Sequence, residues 1–436
     1  MSRRSAEVGP RPPRVSCDSL VALGNSTADG VTLFAKNSDR PAEEAQPLVL
    51  EPRRSHARGS RLRCQYVEID QVAETARLIG SRPFWLWGFE HGLNEYGVAI
   101  GNHTVFARDG LGPAGLLGMD LVRLGLERGK TAEQAVEVIT SLIAAHGQGG
   151  SGYFDKEWPY NNSFLVADPR RAFLLETSNR AWAVRHVEDV GSASNHISIQ
   201  DDWDALAPDT IEHAVANGWW SEDAEARFSF AGAYRDVEAV PEVVSSGRHR
   251  RTCELLERAK GRLTADDLRA ALRDHYGEVA HRPELAFDDE QHYSVCMHAE
   301  PAGTTTASMI ARLPADGAVA TYWASLGSPC IGVFVPLYVQ GEIPPELSRG
   351  GEEESADSPW WRFKALLTKV EQNWELVARI RETWNPLEAR IESERAEVEA
   401  RAIDLDRRGD GAAASAELST FSARVTAEVL EKLGNW

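Results

Sequence analysis

The stretch that decides the fold reads CDSLVAL over residues 17–23 and VTLFAKNSDR over residues 31–40, with GNSTADG between them. The outer segments are rich in apolar and β-branched residues, which favour strands, and the inner segment is rich in turn-forming residues. We therefore predict two neighbouring strands, at 19–23 and 31–36. Cys17 lies just before the first strand, and Lys36 and Asp39 lie at the end of the second.

A cysteine in this position supplies two catalytic groups once the residues before it are removed. The exposed α-amino group has a reference pKa of roughly 7.7–8.0 and accepts a proton near neutral pH, so thiol and base lie on one residue. Asp39 is placed to orient that amine, and Lys36 to hold a thiolate or a substrate carboxylate by its charge. From spacing alone, a surface ion pair between Lys36 and Asp39 and a buried free thiol at Cys17 remain open.

The composition is that of an ordinary globular protein. The 436 residues are 42% hydrophobic and 26% charged, and this length favours one large domain or two. The formal net charge of −19 argues against nucleic acids and anionic membranes as partners, since both bind basic surfaces. Residues 1–16 lack the apolar core of a secretory signal, and no apolar run reaches the roughly 18 residues of a membrane span. We therefore expect a cytoplasmic protein.

The five cysteines are widely spaced, which predicts free thiols in a reducing compartment. They are Cys17, Cys64, Cys253, Cys296 and Cys330. No pair has zinc-ligand spacing, and Cys296 with His298 alone offers too few ligands for a metal site. The glycine-rich GQGGSG at 147–152 lacks the lysine of a phosphate loop, and the calcium-like DLDRRG at 404–409 is followed by Ser415 where glutamate is required. No metal or cofactor is therefore expected.

The order of predicted elements indicates an αββα sandwich, two sheets with helical pairs on the outer faces, rather than a doubly wound parallel sheet. Strands are predicted at 19–23, 31–36, 66–69, 77–79, 96–101, 163–167, 172–176, 182–186, 307–313, 319–324 and 331–335. Helical pairs are predicted at 117–127 with 132–145 and at 251–260 with 265–275. We divide the chain into a leader removed on maturation (1–16), the sandwich (17–345) and a C-terminal helical extension (346–436). Pro386 is expected to kink or break the helical region at 359–406.

Several blocks of sequence resemble one family. The segments at 17–23 and 34–40 resemble the start of the secernins and the related bacterial cysteine dipeptidases, which are N-terminal-nucleophile hydrolases. Later blocks resemble the same family in the same order, so that the resemblance spans roughly residues 17–336. They are SRPFWLWG at 81–88, GLNEYGVAIGN at 92–102, YNNSFLVAD at 160–168, TTTASM at 304–309 and GSPC at 327–330.

The resemblance implies an αββα N-terminal-nucleophile fold and hydrolysis of amide bonds, usually in dipeptides. It also implies site residues. Asn102 is similar to the position whose backbone N–H stabilises the oxyanion, and Asn195 to the asparagine whose side-chain amide donates the second bond. For each, a turn asparagine is the alternative. Arg248 is the first choice for an active-site arginine, but the sequence does not separate it from Arg250 and Arg251.

One feature departs from the wider superfamily. The broader relatives are penicillin and bile-salt amide hydrolases, and they carry Arg-x-x-Asp where this chain has Lys36-x-x-Asp39. Lysine does not reproduce the planar, forked donor geometry of arginine. The departure weakens penicillin V and bile salts as guides to the substrate.

These features lead to one hypothesis and two alternatives. We expect Cys17, after removal of the leader by its own thiol or by another protease, to hydrolyse a small peptide amide as a dipeptidase. The alternatives are an acylase acting on a non-peptide amide and a non-catalytic, secernin-like interaction protein. Trp85, Trp87 and Tyr160 are candidates for lining a substrate pocket, with buried core aromatics as the alternative. Side-chain preference and assembly into a homo-oligomer remain open.

Overall fold

The computed structural model describes residues 17–112, 114–239, 242–276, 293–299, 303–315 and 318–436, except the side chains of 242–245. The predicted leader, residues 1–16, lies outside this description. None of the described helices is both long enough and apolar enough to cross a lipid bilayer.

The described elements are listed here in chain order. Strands β1 to β10 span Cys17–Ala22, Thr32–Arg40, Leu48–Glu51, Arg54–Ser55, Arg61–Arg63, Glu68–Asp70, Glu74–Thr75, Leu78–Ser81, His91–Asn94 and Ala99–Val105. Strands β11 to β19 span Asn161–Ala167, Ala172–Ser178, Ala181–Val187, Val190–Ala193, Ala205–Leu206, His298–Ala299, Gly303–Leu313, Thr321–Leu326 and Val335–Leu337. Helices α1 to α9 span Gly118–Arg128, Ala132–His146, Thr210–Ala216, Phe230–Tyr234, Glu242–Ala259, Ala265–Leu272, Pro359–Gln372, Leu376–Arg407 and Gly411–Leu433. Short 3-10 helices cover Gly24–Ser26 and Pro345–Ser348.

Most of the strands form two antiparallel sheets. The first has the order β14-β1-β2-β17-β18-β19, with β16 paired to β17, and the second has the order β15-β13-β12-β11-β10-β9-β8-β3. Strands β4 with β7 and β5 with β6 make separate two-stranded pairs. The two strands predicted from the opening stretch are β1 and β2, and they pair near the centre of the first sheet with Cys17 opposite Ser38.

Side chains of the first sheet alternate between two apolar layers, because successive residues of a strand point to opposite faces. Phe34 and Met309 belong to the core that the two sheets share. Their neighbours Ala35 and Ile310 pack instead with Leu268 of α6. On the far side, α1 and α2 cover the second sheet through a separate apolar cluster. The αββα sandwich predicted from the sequence is therefore confirmed.

The strand predicted at 331–335 is wrong, and so is a break of the helical region at Pro386, one of the two outcomes predicted there. No strand covers 331–335 as a whole; the N–H of Ile331 closes a turn on the Ser328 carbonyl at 3.2 Å, and β19 begins only at Val335. The helical region does not break at Pro386, because α8 runs through it and the interruption lies at 373–375. Trp384 beside the proline is fully buried, and this packing outweighs the backbone hydrogen bond that proline cannot make.

The C-terminal helices share the main core rather than standing apart from it. Trp360 of α7 and Trp384 of α8 are buried, and their indole N–H groups donate to the carbonyls of Thr306 at 2.8 Å and Ile331 at 3.0 Å. The predicted helical C-terminal region is thus present, and it packs on the sandwich. The division of the chain near residue 345 stays a prediction, as does removal of the leader.

Candidate active site

Cys17 occupies the first position of β1 and is buried, with 4% of its surface exposed. Because the cysteine pairs with Ser38 across the β1–β2 ladder, its side chain lies against the main chain of the next residue on β2. The backbone N–H of Asp39 donates to the Cys17 sulfur, with 3.5 Å between nitrogen and sulfur. The thiol is therefore held at a strand end.

The backbone nitrogen of Cys17 is held from the other side by Asn195. This nitrogen, a peptide N–H in the uncut chain, donates to Oδ1 of Asn195 at 2.6 Å. The same oxygen accepts a bond from the Arg248 guanidinium at 3.0 Å, while Nδ2 of Asn195 donates to the carbonyl of Thr104 at 2.8 Å. Asn195 thus acts as an acceptor at Cys17 here. Its predicted role as oxyanion donor stays a prediction that requires its amide nitrogen to leave Thr104.

Only one of the three candidate arginines lies beside Asn195. Arg248 is fully buried and pairs with the equally buried Asp18 at 2.6 Å. Burial disfavours its charged form, but the nearby carboxylates outweigh this effect and raise its pKa. Arg251 instead makes a two-bond ion pair with Asp274, at 2.7 and 2.9 Å, and Arg250 is exposed. The structure thus separates three residues that the sequence could not.

Lys36 is fully buried and faces a carboxylate. Its ammonium group donates to the backbone carbonyl of Glu90 at 2.7 Å and lies 3.1 Å from that residue's carboxylate. The other carboxylate oxygen of Glu90 is 3.4 Å from Arg40, which also pairs with Glu44 at 2.7 Å. No described hydrogen bond joins the Lys36 ammonium to the Cys17 sulfur, so the cation acts on the thiol through its electric field. The surface ion pair considered from spacing is wrong for Lys36, because the side chain is buried and pairs with Glu90.

Asn102 belongs to the Lys36 and Glu90 group. Its side-chain amide lies within hydrogen-bond distance of the Lys36 ammonium and of Glu90. Its backbone N–H, the predicted oxyanion donor, donates to the Glu90 carbonyl at 3.3 Å. In this arrangement the backbone N–H of Asn102 already makes a hydrogen bond, although a long one. Its role at the oxyanion stays a prediction.

Asp39 is fully buried at the end of β2. Oδ1 of its carboxylate accepts a 2.6 Å bond from the hydroxyl of Thr305 on β17. The Thr305 hydroxyl in turn accepts a 2.9 Å bond from the backbone N–H of Met297. Asp39 thus lies next to Cys17 in the ladder, positioned by a chain of hydrogen bonds, and its orienting role toward an α-amine stays a prediction.

Burial dominates the acidity of the thiol. It raises the pKa of Cys17 from 9.0 to about 12, against the lowering effect of the Lys36 charge, while Glu90 and Asp39 raise it further. The thiol is therefore protonated at neutral pH in the uncut chain. A base close to the sulfur is needed to activate it.

Aromatic side chains cluster on one side of the site. Tyr153 and Tyr160 are buried, with ring centroids 6.1 Å apart, and Trp85 packs at the edge of their cluster. Burial raises the pKa of Tyr160 well above its usual range, and the nearby Cys17 adds to this effect. Trp87 lies elsewhere, with the Arg123 guanidinium 4.2 Å from its ring. The Tyr160 hydroxyl lies 3.5 Å from the guanidinium of Arg40, the residue after Asp39, so Tyr160 adjoins the charged groups of the site. Trp87 is half-buried and packs against the separate apolar cluster of the second sheet.

Several residues of the site were not identified from the sequence. They are Asp18, Arg40, Glu90 and Thr305. Asp18 follows Cys17 and Arg40 follows Asp39, so their position next to a predicted site residue could have identified them. Glu90 lies on a distant segment that no local pattern marks, and Thr305 lies within the block TTTASM at 304–309, which was quoted for the resemblance without a role for this residue.

No family model matches this chain. Many solved structures are similar to it, and three of them serve as examples. Penicillin V acylase from Agrobacterium tumefaciens has 13% identity and a TM-score of 0.41, covering 77% of this chain and 89% of its own. Conjugated bile acid hydrolase from Clostridium perfringens has 12% identity and a TM-score of 0.38, covering 70% and 88%. The N-acylethanolamine-hydrolyzing acid amidase ortholog of Caenorhabditis elegans has 10% identity and a TM-score of 0.34, covering 67% and 92%. These similarities assign no residue roles, and the resemblance to secernins and cysteine dipeptidases stays a prediction.

Proposed function

We propose that this protein is an amide hydrolase whose nucleophile is the Cys17 thiol, activated by the α-amine that removal of residues 1–16 exposes. One observation carries the proposal. The nitrogen and the sulfur of this single residue are both held by buried polar groups, Asn195 Oδ1 at 2.6 Å and the Asp39 N–H at 3.5 Å. A buried backbone N–H in a strand usually donates to a carbonyl of the neighbouring strand, whereas that of Cys17 donates to a side-chain amide.

Removal of the leader is proposed as the first reaction of the same thiol. The sulfur attacks the Ser16 carbonyl carbon, the Ser16–Cys17 amide bond breaks, and the proton of the thiol passes to the departing nitrogen. The product is a thioester on a residue whose α-amine is now free. Water hydrolyses the thioester, which releases residues 1–16 with a new carboxylate and restores the thiol.

Turnover repeats this chemistry on an external amide. The α-amine accepts the thiol proton, the sulfur attacks the substrate carbonyl, and the protonated amine then gives its proton to the leaving nitrogen. Water cleaves the resulting thioester. Lys36 and Arg248 supply positive charge close to the reacting sulfur and nitrogen, which favours the charged intermediates in a buried site.

A dipeptide is the proposed substrate, because the blocks from residue 17 to residue 330 resemble cysteine dipeptidases. Substrate trials should compare a dipeptide panel with acyl amides of matched size. Hydrolysis of acyl amides alone would replace the dipeptidase by a non-peptide acylase with the same catalytic residues.

The deciding experiment is the intact mass and N-terminal sequence of purified wild type, Cys17→Ala and Cys64→Ala. Cys64 is a matched control because it is also buried but lies in a separate apolar cluster. We expect wild type and Cys64→Ala to begin at Cys17, and Cys17→Ala to keep residues 1–16. Retention of the leader by all three, in protein without amidase activity, would contradict the proposal and favour an interaction protein.

A further inference from the structure

Four metal-binding side chains meet outside the candidate active site. They are His275, Cys296, His298 and Cys330, and their ligand atoms all lie within 4.8 Å of one another. His275 follows α6, His298 lies on β16, and Cys330 lies in the turn between β18 and β19. The two cysteines and His298 are buried, and His275 is partly buried. Three distant segments of the chain thus contribute to one cluster.

Two separations within the cluster match those of a tetrahedral metal site. Nε2 of His298 is 3.4 Å from the sulfur of Cys296 and 3.4 Å from the sulfur of Cys330. Zinc bonds of about 2.3 Å to sulfur and 2.0–2.1 Å to nitrogen place such atoms roughly 3.5 Å apart in a tetrahedron. Nε2 of His275 is buried, and the His275 ring interacts with the thiol of Cys330. A neutral imidazole carries a lone pair on one of its two ring nitrogens, and this lone pair can bind a metal.

We propose that these four side chains form a structural zinc site. Two thiolates and two imidazoles are the donor set that zinc takes in closed, four-coordinate structural sites. Two thiolate charges neutralise the charge of Zn²⁺, so the complete site is uncharged, which suits its burial. Binding releases the two thiol protons to solvent. Four protein ligands leave no open position, so a structural role is expected rather than a catalytic one.

The contacts around the cluster show what a bound metal would stabilise. Met297 lies between two of the ligands, and its carbonyl accepts a 3.0 Å bond from the Thr305 N–H, which fixes β16 against β17. The ring of Trp374, between α7 and α8, lies 5.0 Å from the ring of His298. A metal would therefore join the end of α6, the start of β16 and the turn between β18 and β19, next to the segment that links α7 to α8.

The first test measures zinc in protein purified from zinc-supplemented cells and desalted. We expect about one zinc per chain in wild type, and a roughly tenfold or greater loss in Cys296→Ser and Cys330→Ser. Cys64→Ser and Cys253→Ser are matched controls that should keep the metal. Wild type without zinc would overturn the proposal, as would full zinc content in the ligand variants.

A second measurement does not depend on the folding of the variants. Wild-type protein is stripped of metal with a chelator under reducing conditions and titrated with Co²⁺ alone. Tetrahedral thiolate ligation gives visible d–d bands and near-ultraviolet charge-transfer bands that saturate at one equivalent and that Zn²⁺ abolishes. A spectrum of hexa-aqua cobalt throughout would overturn the proposal. So would an intact mass showing that Cys296 and Cys330 form a disulfide in protein purified without oxidant.

Discussion

Asn195 presents its amide oxygen, not its amide nitrogen, to the backbone nitrogen of Cys17, at 2.6 Å. The same oxygen is held by Arg248, so its orientation is fixed by a buried cation. An α-ammonium formed by cleavage before Cys17 would meet an acceptor that is already aligned. We infer that Asn195 first positions the α-amine of Cys17, the proposed base, and that any contact of Asn195 with an oxyanion comes later.

This relationship predicts a change in pH dependence for Asn195→Asp. A carboxylate next to the α-amine favours the protonated amine and raises its pKa by about 1–3 units. The base must be neutral to accept the thiol proton, so the acidic limb of the kcat/KM profile of processed protein should move to higher pH. The measurement is that profile, taken beside wild type.

Asn195→Ala is the control for charge. It removes the amide without adding a carboxylate, so the limb should stay in place while the rate falls by roughly 100- to 1000-fold through loss of an oxyanion donor. Superimposable profiles for Asn195→Asp and wild type would show that the α-amine is not the base.

Arg248→Met should both destabilise the protein and abolish leader removal. It leaves Asp18 as a fully buried carboxylate without its 2.6 Å partner, which costs about 3–5 kcal/mol in the free energy of unfolding. Urea unfolding measures this loss, and the intact mass reports processing. Arg251→Met, which breaks a partly exposed pair with Asp274, should cost clearly less stability than Arg248→Met and leave processing intact.

A double variant separates the contribution of Arg248 to the stability of the protein from its contribution to leader removal. Asp18→Asn with Arg248→Met removes both charges, so most of the lost stability should return. We expect this variant to fold and still to keep residues 1–16. Normal processing in the double variant would assign Arg248 a structural role only.

Lys36→Met should destabilise the fold through Glu90. The ammonium and the carboxylate are 3.1 Å apart with side-chain exposures of 0% and 3%, and an unpaired buried charge costs about 3–5 kcal/mol. The lower end is expected because Arg40 lies 3.4 Å from the same carboxylate. Unfolding in urea measures the loss, and adding Glu90→Gln should recover part of it. A stability equal to wild type would mean that water reaches this pair.

Asp120 should make the free energy of unfolding depend on pH, independently of the active site. Burial raises the pKa of this carboxyl, in the first turn of α1, from 3.8 to about 7. The folded state therefore binds its proton more tightly than the unfolded state. The stability that this proton contributes is fully present below pH 3.8 and is lost as pH rises through 7.

Asp120→Asn should thus be close to wild type near pH 4 and more stable at pH 8, by up to roughly 4 kcal/mol for a shift of three units. Urea unfolding of both proteins at several pH values measures the difference. Asp201→Asn, at an exposed carboxyl, should show no such trend. A difference that does not vary with pH would contradict the assignment to Asp120.

Local sequence pattern predicted much of the sandwich. The β1–β2 pair, the α1–α2 pair and the hairpin from β11 to β12 were visible because their alternation, caps and turn residues all lie within a few positions of one another. Asp168 shows why, since it lies between the predicted strands at 163–167 and 172–176 and its carboxylate accepts the N–H groups of Arg170 and Arg171 at 2.8 and 2.9 Å. The failure at Pro386 has the opposite cause, because burial of α8 against a distant core overrides a local penalty.

The candidate site shows the same limit. Cys17, Lys36 and Asp39 stand on two consecutive strands, so residue type and spacing were enough to single them out. Arg248 could not be separated from Arg250 and Arg251, because three arginines within four positions carry the same local information. Only burial against Asp18 and Asn195 distinguishes it.

The cluster of His275, Cys296, His298 and Cys330 is the clearest case of information that no local pattern holds. From the sequence, Cys296 and His298 offered too few ligands, since Cys330 follows His298 by 32 positions. Strand and helix periodicity, turn chemistry and the position of a nucleophile are short-range properties that the chain itself specifies. Which carboxylate meets Lys36, which arginine meets Asn195 and which thiols meet in one cluster depend on long-range packing, and only the folded sandwich decided them.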